Sequence, residues 1–140
     1  TRNLVKFNNL LIVRKRYWWL MMSNSMSSTG NNSQAAGLKN IDETIVHASD
    51  GLHAYEIVKK DVKFNLNNYC SFDLILMDCN MPRMDGYDST EAIRKFILAN
   101  QIPQPIICAT TGHIEPIYVK KCFESGMNAV YSKPVEKTLL

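Results

Sequence analysis

The sequence predicts an α/β fold, a doubly wound parallel sheet with helices on both faces. Three observations predict it. From residue 44 onward, short β-branched or apolar runs alternate with segments of helical spacing, the pattern of strands joined by crossover helices. The run Asp73–Asp78 (DLILMD) is apolar between two acids, as in a strand covered on both faces. Three polar residues, Asp78, Thr111 and Lys133, fall at or just past the ends of three successive strands, where such sheets carry their ligands.

The elements follow in order. Thr44–Ala48 (TIVHA) is short and β-branched, like a buried strand. Asp50-Gly51 signals a turn, and Leu52, Tyr55 and Val58 then recur at helical spacing. Residues 62–72 read as an Asn-rich loop with a few apolar anchors. After the strand 73–78, Pro82 and Gly86 break the chain, and a helix is expected from Asp88 to Asn100 with Ala92, Ile93, Phe96 and Ile97 facing inward. Pro103 and Pro105 end the connection, and Pro105–Thr111 is the next strand. Residues 114–125 are expected to be helical, with Gly126 just past the C-cap. Asn128–Ser132 is a short strand, and Pro134 opens a last helix that the chain cuts short at Leu140.

Composition bounds the function. A chain of 140 residues is one domain, and 46% hydrophobic with 21% charged residues is a globular composition. The net charge of +3 is too small to argue nucleic-acid binding. It hides an asymmetry: residues 1–41 hold six Lys or Arg and no acid, whereas residues 42–140 hold ten and all thirteen acids. No apolar run reaches the roughly 18–20 residues of a membrane span. The nearest, Leu10–Met22, is interrupted by Arg14-Lys15-Arg16, and no cleavage site follows it. The four cysteines form no C-x-x-C pair, which disfavours zinc and favours reduced thiols in an intracellular domain. Residues 23–34 (SNSMSSTGNNSQ) read as a linker. The start at Thr1 and the end within an apolar pattern suggest a fragment of a longer protein.

An Asp, a Thr and a Lys at neighbouring strand ends make a small phosphoryl site. A carboxylate can be the nucleophile and form an aspartyl phosphate. A hydroxyl and an ammonium can hold the phosphoryl oxygens. Taken singly, Asp78 could cap a loop, Thr111 could be an ordinary strand residue and Lys133 could be solvated. All three at strand ends is much harder to explain that way.

The segments DLILMDCNMPRMDGYDSTEAIR (73–94), ICATTGH (107–113) and CFESGMNAVYSKPV (122–135) closely resemble the receiver (response-regulator) domain of two-component signalling. The resemblance covers residues 42–137 well and 17–37 poorly. It implies a (βα)5 flavodoxin-like sandwich with a central five-stranded parallel sheet, a degenerate first helix and a truncated last one. The domain would be residues 17–140, preceded by a basic segment or linker, 1–16. It also implies a phosphoprotein in which Asp78 takes a phosphoryl group from a phosphohistidine, with Met81, Pro82, Asp85 and Gly86 in step. The hydroxyl residue matches Thr111 counted from downstream, because Cys122, Gly126 and Lys133 lie 11, 15 and 22 positions beyond it. Counting forward from Pro105 chooses Thr110, the alternate. Lys133-Pro134 matches a Lys-Pro whose peptide is often cis. The family's aromatic, three positions before that Lys, is replaced by Val130, with Tyr131 beside it. Cys79 and His113 border the site as spacers.

The resemblance further implies Mg²⁺ held by Asp78, by the backbone carbonyl of Asn80 and by a pair of acids ending the first strand. That pair should fall near Met21 and Met22, after allowing for an insertion near Asn65–Tyr69, and no acid precedes Asp42. Tyr17–Met22 is expected to take the first central strand, with Leu10–Val13 as competitor. Tyr, Trp and Met have nearly fixed codons, and reading those of Tyr17–Trp19 two bases later gives Leu-Val and then allows Asp-Asp-Glu. Residues 14–34 are therefore read as frame-shifted or mis-joined, against the alternative of genuine, degenerate sequence.

Three function classes compete. The first is a phosphoacceptor receiver, from a hybrid histidine kinase or phosphorelay protein. Its partner would be a histidine kinase or histidine phosphotransfer protein, with no nucleic-acid or membrane contact of its own. It would be cytoplasmic, alone or as part of a larger membrane kinase. The second is a pseudo-receiver without a metal site, acting only by protein–protein contact. The third, a strand-end-Asp phosphatase, would need a second Asp where Asn80 stands. No G-x-G-x-x-G or Walker pattern supports a nucleotide-fold enzyme.

Overall fold

The computed structural model describes the backbone of Leu10–Arg14 and residues 45–134. In chain order these are β1 (Leu10–Arg14), β2 (Ile45–Ala48), α1 (Gly51–Phe64), β3 (Phe72–Asp78), α2 (Gly86–Ala99), β4 (Ile106–Thr111), α3 (Pro116–Glu124) and β5 (Ala129–Ser132). The strands lie in one sheet in the order β2-β1-β3-β4-β5. Strands β3, β4 and β5 are parallel.

The expected all-parallel arrangement is corrected at β1, which runs antiparallel to both β2 and β3. The strand Leu10–Arg14, which contains the competitor Leu10–Val13, fills the slot expected for Tyr17–Met22. An apolar sequence pattern such as LLIVR marks a central strand but carries no direction, so it could not decide the sense. Residues 17–22, and the spans 23–34 and 135–140 where a degenerate first helix and a truncated last helix are expected, lie outside the described residues.

Strand alternation sorts the side chains into two sets. Ile75, Met77, Cys79, Ile107 and Ala109 pack with Ala54, Val58 and Val62 of α1, Ile93 and Ile97 of α2, and Cys122 of α3. Leu76 and Cys108 lie on the opposite face, with Ile45, Leu74, Ala129 and Tyr131 against them. All three described helices thus cover one face, and helices expected on the other fall outside the described residues.

Each helix has a local cause. Asp50 caps α1 by accepting from the His53 N–H at 2.9 Å, and Asp85 caps α2 by accepting from the Asp88 N–H at 2.9 Å. α1 runs to Phe64, into the span read as loop, because Val62 extends the buried stripe of Ala54 and Val58 by one more turn. α2 starts two residues earlier than expected, just after the Asp85 cap. α3 starts at Pro116, suited to a first helical position. It ends with Gly126 at φ 103°, whose N–H donates to Phe123 O while the Met127 N–H donates to Cys122 O. That is the paired closure in which a residue of positive φ satisfies the last carbonyls, and it places Gly126 as expected.

Candidate functional site

The site is built where β3, β4 and β5 end. Because neighbours in a parallel sheet share a face, register decides which side chains meet. Asp78 pairs with Thr110, and Thr110 pairs with Tyr131. Asp78, Thr110 and Tyr131 therefore form one row on the face of Leu76 and Cys108. Thr111 alternates to the helix-covered face, the side of Ile107 and Ala109.

Asp78 is the centre of this row and is buried. Its Oδ2 accepts from Lys133 Nζ at 2.5 Å, and its Oδ1 accepts from the Asn80 N–H at 3.0 Å. Lys133 is held by its own backbone, since its N–H donates to Thr111 O at 2.9 Å. The Lys133-Pro134 peptide is cis. Thr110 is buried beside Asp78, and its carbonyl accepts from the Cys79 N–H. The Thr111 hydroxyl accepts from the His113 N–H at 3.0 Å and shapes the loop after β4. His113 is exposed, with Glu115 3.9 Å away.

Thus Asp78, Lys133 and Asn80, foreseen from the sequence, are brought together, and of the two threonines the register sets Thr110 next to Asp78. Tyr131, rather than Val130, occupies the place beside Thr110, while Val130 pairs with Ala109. Counting back 22 positions from Lys133 gives Thr111, whereas Thr110, 23 positions before it, is the one in register with Asp78.

A second polar cluster flanks the site. Asp50 is buried at the start of α1 and accepts from Arg83 of the β3–α2 loop, with Nε at 2.7 Å and a terminal guanidinium nitrogen also donating. The His53 N–H holds the Asp50 carboxyl below its ordinary range; Arg83 adds to the effect and burial opposes it. The Ser-Asp-Gly string before a helical pattern could have flagged Asp50 as a cap, but no local signal links it to a residue 33 positions away.

Behind Asp78, Cys79 and Cys122 bring their Sγ atoms within 3.7 Å in the core. Burial, then the neighbouring Cys122, pushes the Cys79 thiol up to about 12. Burial also pushes Tyr87 up, and it pushes the Cys70 thiol up to about 11. These are protonated packing groups at neutral pH.

A family model described as the response regulator receiver domain matches residues 32–140. Histidine kinase 1 of Arabidopsis thaliana is 43% identical over 76 residues, which cover 54% of this chain and 6% of that kinase. The osmosensing histidine protein kinase SLN1 of Saccharomyces cerevisiae is 36% identical over 98 residues, covering 70% of this chain and 7% of that kinase. The chain therefore spans a small fraction of the length of the curated relatives it matches. Among solved structures, the receiver domain of the histidine kinase CKI1 from Arabidopsis thaliana, complexed with Mg²⁺, superposes with a TM-score of 0.58. It is 28% identical, over 64% of this chain and 65% of that one.

Proposed function

We propose that this chain, which belongs to the response regulator receiver domain family, accepts a phosphoryl group on Asp78 from a phosphohistidine. The observation that carries the reading is the Asp78 carboxylate itself. It is buried, aimed out of a parallel strand end, and met by the Lys133 ammonium with Thr110 next to it in register. One carboxylate oxygen attacks phosphorus, the bond from phosphorus to the imidazole nitrogen breaks, and that nitrogen keeps the electron pair and takes up a proton. The product is an acyl phosphate on Asp78. Lys133 passes from the carboxylate to the phosphoryl oxygens and neutralises them, and the Thr110 hydroxyl donates to one of them. Thr110 is preferred over Thr111 because the Thr111 hydroxyl is engaged by His113 on the other face of the strand.

The Mg²⁺ named for the CKI1 receiver would need oxygen ligands, one or two of them carboxylates. Among the described residues, Asp78 and the backbone carbonyl of Asn80 are the donors the resemblance supplies, and no group of three or more His, Cys, Asp or Glu could hold a metal ion. This set does not complete a Mg²⁺ shell. The positions expected to hold the acid pair are Met21 and Met22, which are not acids and lie outside the described residues. The same one-carboxylate site favours a second reading, a pseudo-receiver that binds partners without taking a phosphoryl group.

The finer architecture belongs to the same proposal. It comprises a (βα)5 domain over residues 17–140 and a preceding segment, 1–16. The donor would be a histidine kinase or a histidine phosphotransfer protein, and the chain a cytoplasmic part of a larger hybrid kinase. Among the described residues, no helix is long and apolar enough to cross a membrane.

Acetyl phosphate, with and without Mg²⁺, separates the two readings when followed by intact mass. The phosphoacceptor gains one phosphoryl group, and Asp78→Asn, with an unchanged circular dichroism spectrum, gains none. An unchanged mass with no effect of Mg²⁺ on the melting temperature overturns the first reading in favour of the second.

A further inference from the structure

The β3–α2 loop carries Asn80, whose N–H holds Asp78, and it is held in an unusual shape. The Met84 N–H donates to Pro82 O at 2.7 Å, a hydrogen bond that closes over a single residue, Arg83, at φ 63°. A turn of this kind, with an ordinary side chain at positive φ, is rare and strained. Such a conformation persists only where its surroundings over-determine it. Two contacts do so here, and both come from the start of α1. The Gly51 N–H donates to Met84 O at 3.1 Å, and the Arg83 guanidinium grips the buried Asp50 carboxylate. Asp50 is anchored in turn as the cap of α1. Below the turn, the Gly86 N–H donates to Cys79 O, joining the loop to the strand end that bears Asp78. An unbroken series of bonded groups thus runs from Asp50 through Arg83 and the loop to Asp78.

We infer that Arg83 is a positioning residue: paired with Asp50, it latches the β3–α2 loop to α1 and so sets the aim of Asp78 for phosphoryl transfer. The inference rests on the phosphoacceptor reading above. Arg83 touches no reacting group. It acts by fixing the loop whose Asn80 N–H engages Asp78 Oδ1.

Four variants test it: Arg83→Ala, Arg83→Gly, Asp50→Asn and the double variant Asp50→Asn/Arg83→Ala. Asp50→Asn keeps an acceptor for the His53 N–H, because Asn caps as well as Asp. Arg83→Gly removes the latch while relieving the positive-φ strain. With acetyl phosphate as donor, each single variant should lower the limiting rate of phosphorylation about tenfold, by misplacing Asp78, with the half-saturating donor concentration unchanged. The double variant should lose no more than the worse single one. Hydrogen exchange at the Gly51, Asn80 and Met84 amides should quicken, with the middle of α2 unchanged. A wild-type rate in Arg83→Gly would show that the strain, and not the latch, matters and would overturn the inference. Unchanged loop exchange, or additive losses in the double variant, would do the same. These results presuppose a phosphorylated wild-type chain. A wild-type chain that takes up no phosphoryl group instead overturns the functional reading, and the catalytic part of this inference falls with it.

Discussion

Gly86 is the first residue of α2, and its backbone lies against the end of β3. A Cβ placed there would stand 2.2 Å from the carbonyl oxygen of Asp78, and 3.0 Å from both the Asp78 carbonyl carbon and the Cys79 Cα. All three neighbours are backbone, so no side chain can swing aside. Restoring an ordinary 3.4 Å contact requires α2 and the end of β3 to part by about 1 Å. Overpacking of this kind costs about 1–3 kcal/mol. Alanine's better helix propensity returns at most about 1 kcal/mol, and less at a first helical position. The net loss in Gly86→Ala is therefore about 1–2 kcal/mol, which for a domain of this size lowers the melting temperature by about 4–8 °C. The effect on chemistry should exceed the effect on stability. A displacement of about 1 Å at the carboxylate is enough to cost on the order of 100-fold in rate.

Thermal unfolding and the rate of phosphorylation by acetyl phosphate, measured on the same preparation, check both numbers. A melting temperature and a rate equal to wild type would refute the close approach itself. A lower melting temperature with an unchanged rate would show that only the helix gives way. That result would refute the claim that the seat of α2 on β3 positions Asp78.

Two further predictions concern the strand ends and the thiols. Thr110→Ala should slow phosphorylation about tenfold or more with little change in stability. Thr111→Ala, which loses the buried acceptor of the His113 N–H, should cost about 1 kcal/mol of stability and leave the rate nearly unchanged; kinetics and urea unfolding of the pair decide, and the reverse pattern would return the role to Thr111. Cys79, pushed up to about 12, and Cys70, pushed up to about 11, stay protonated in the folded chain where unfolded thiols ionise, above about pH 8.5. Their stabilising preference is complete below that pH and is lost as the pH rises through the folded values, so stability should fall on the alkaline side. A disulfide reagent at pH 8 should label these thiols far more slowly in the folded chain than in urea, and equal rates would refute the assignment.

Much of this was legible in the sequence because the carriers are local. The β3 run 72–78 has no polar break between its acids, α2 has an Asp-Gly start and an apolar stripe, and Gly126 marks a helix end. Asp78 and Lys133 were legible as residues at strand ends. What the sequence left open depends on register or on distance in the chain. The choice between Thr110 and Thr111 is a choice of face, and a one-residue slip exchanges the faces. Counting from downstream chooses Thr111 and counting forward from Pro105 chooses Thr110, and the two lie on opposite faces of β4. The extension of α1 to Phe64 was hidden because Lys59, Lys60, Lys63 and the asparagines that follow outweighed the single inward Val62. The Asp50–Arg83 pair has no sequence signature at all.

The direction of β1 decides which of its ends lies beside Asp78. In the described sheet Arg14 pairs with Phe72 at the start of β3, and Leu11 pairs with Leu76 near its end. The amino end of β1 therefore lies beside the site, and its carboxyl end lies at the far edge. A strand in this slot can offer carboxylates to Asp78 from its last residues only if it runs parallel to β3. Leu10–Arg14 runs the other way and contains no acid. The apolar pattern of LLIVR carries no direction, so sequence alone does not distinguish the two senses. A chain that binds Mg²⁺ tightly through Asp78 needs carboxylates that LLIVR cannot supply. A chain that does not bind it leaves Lys133 as the cation facing Asp78 among the described residues. Mg²⁺ affinity therefore reports on charge neutralisation at Asp78 and not on strand direction, because neither Leu10–Arg14 nor Tyr17–Met22 carries an acid.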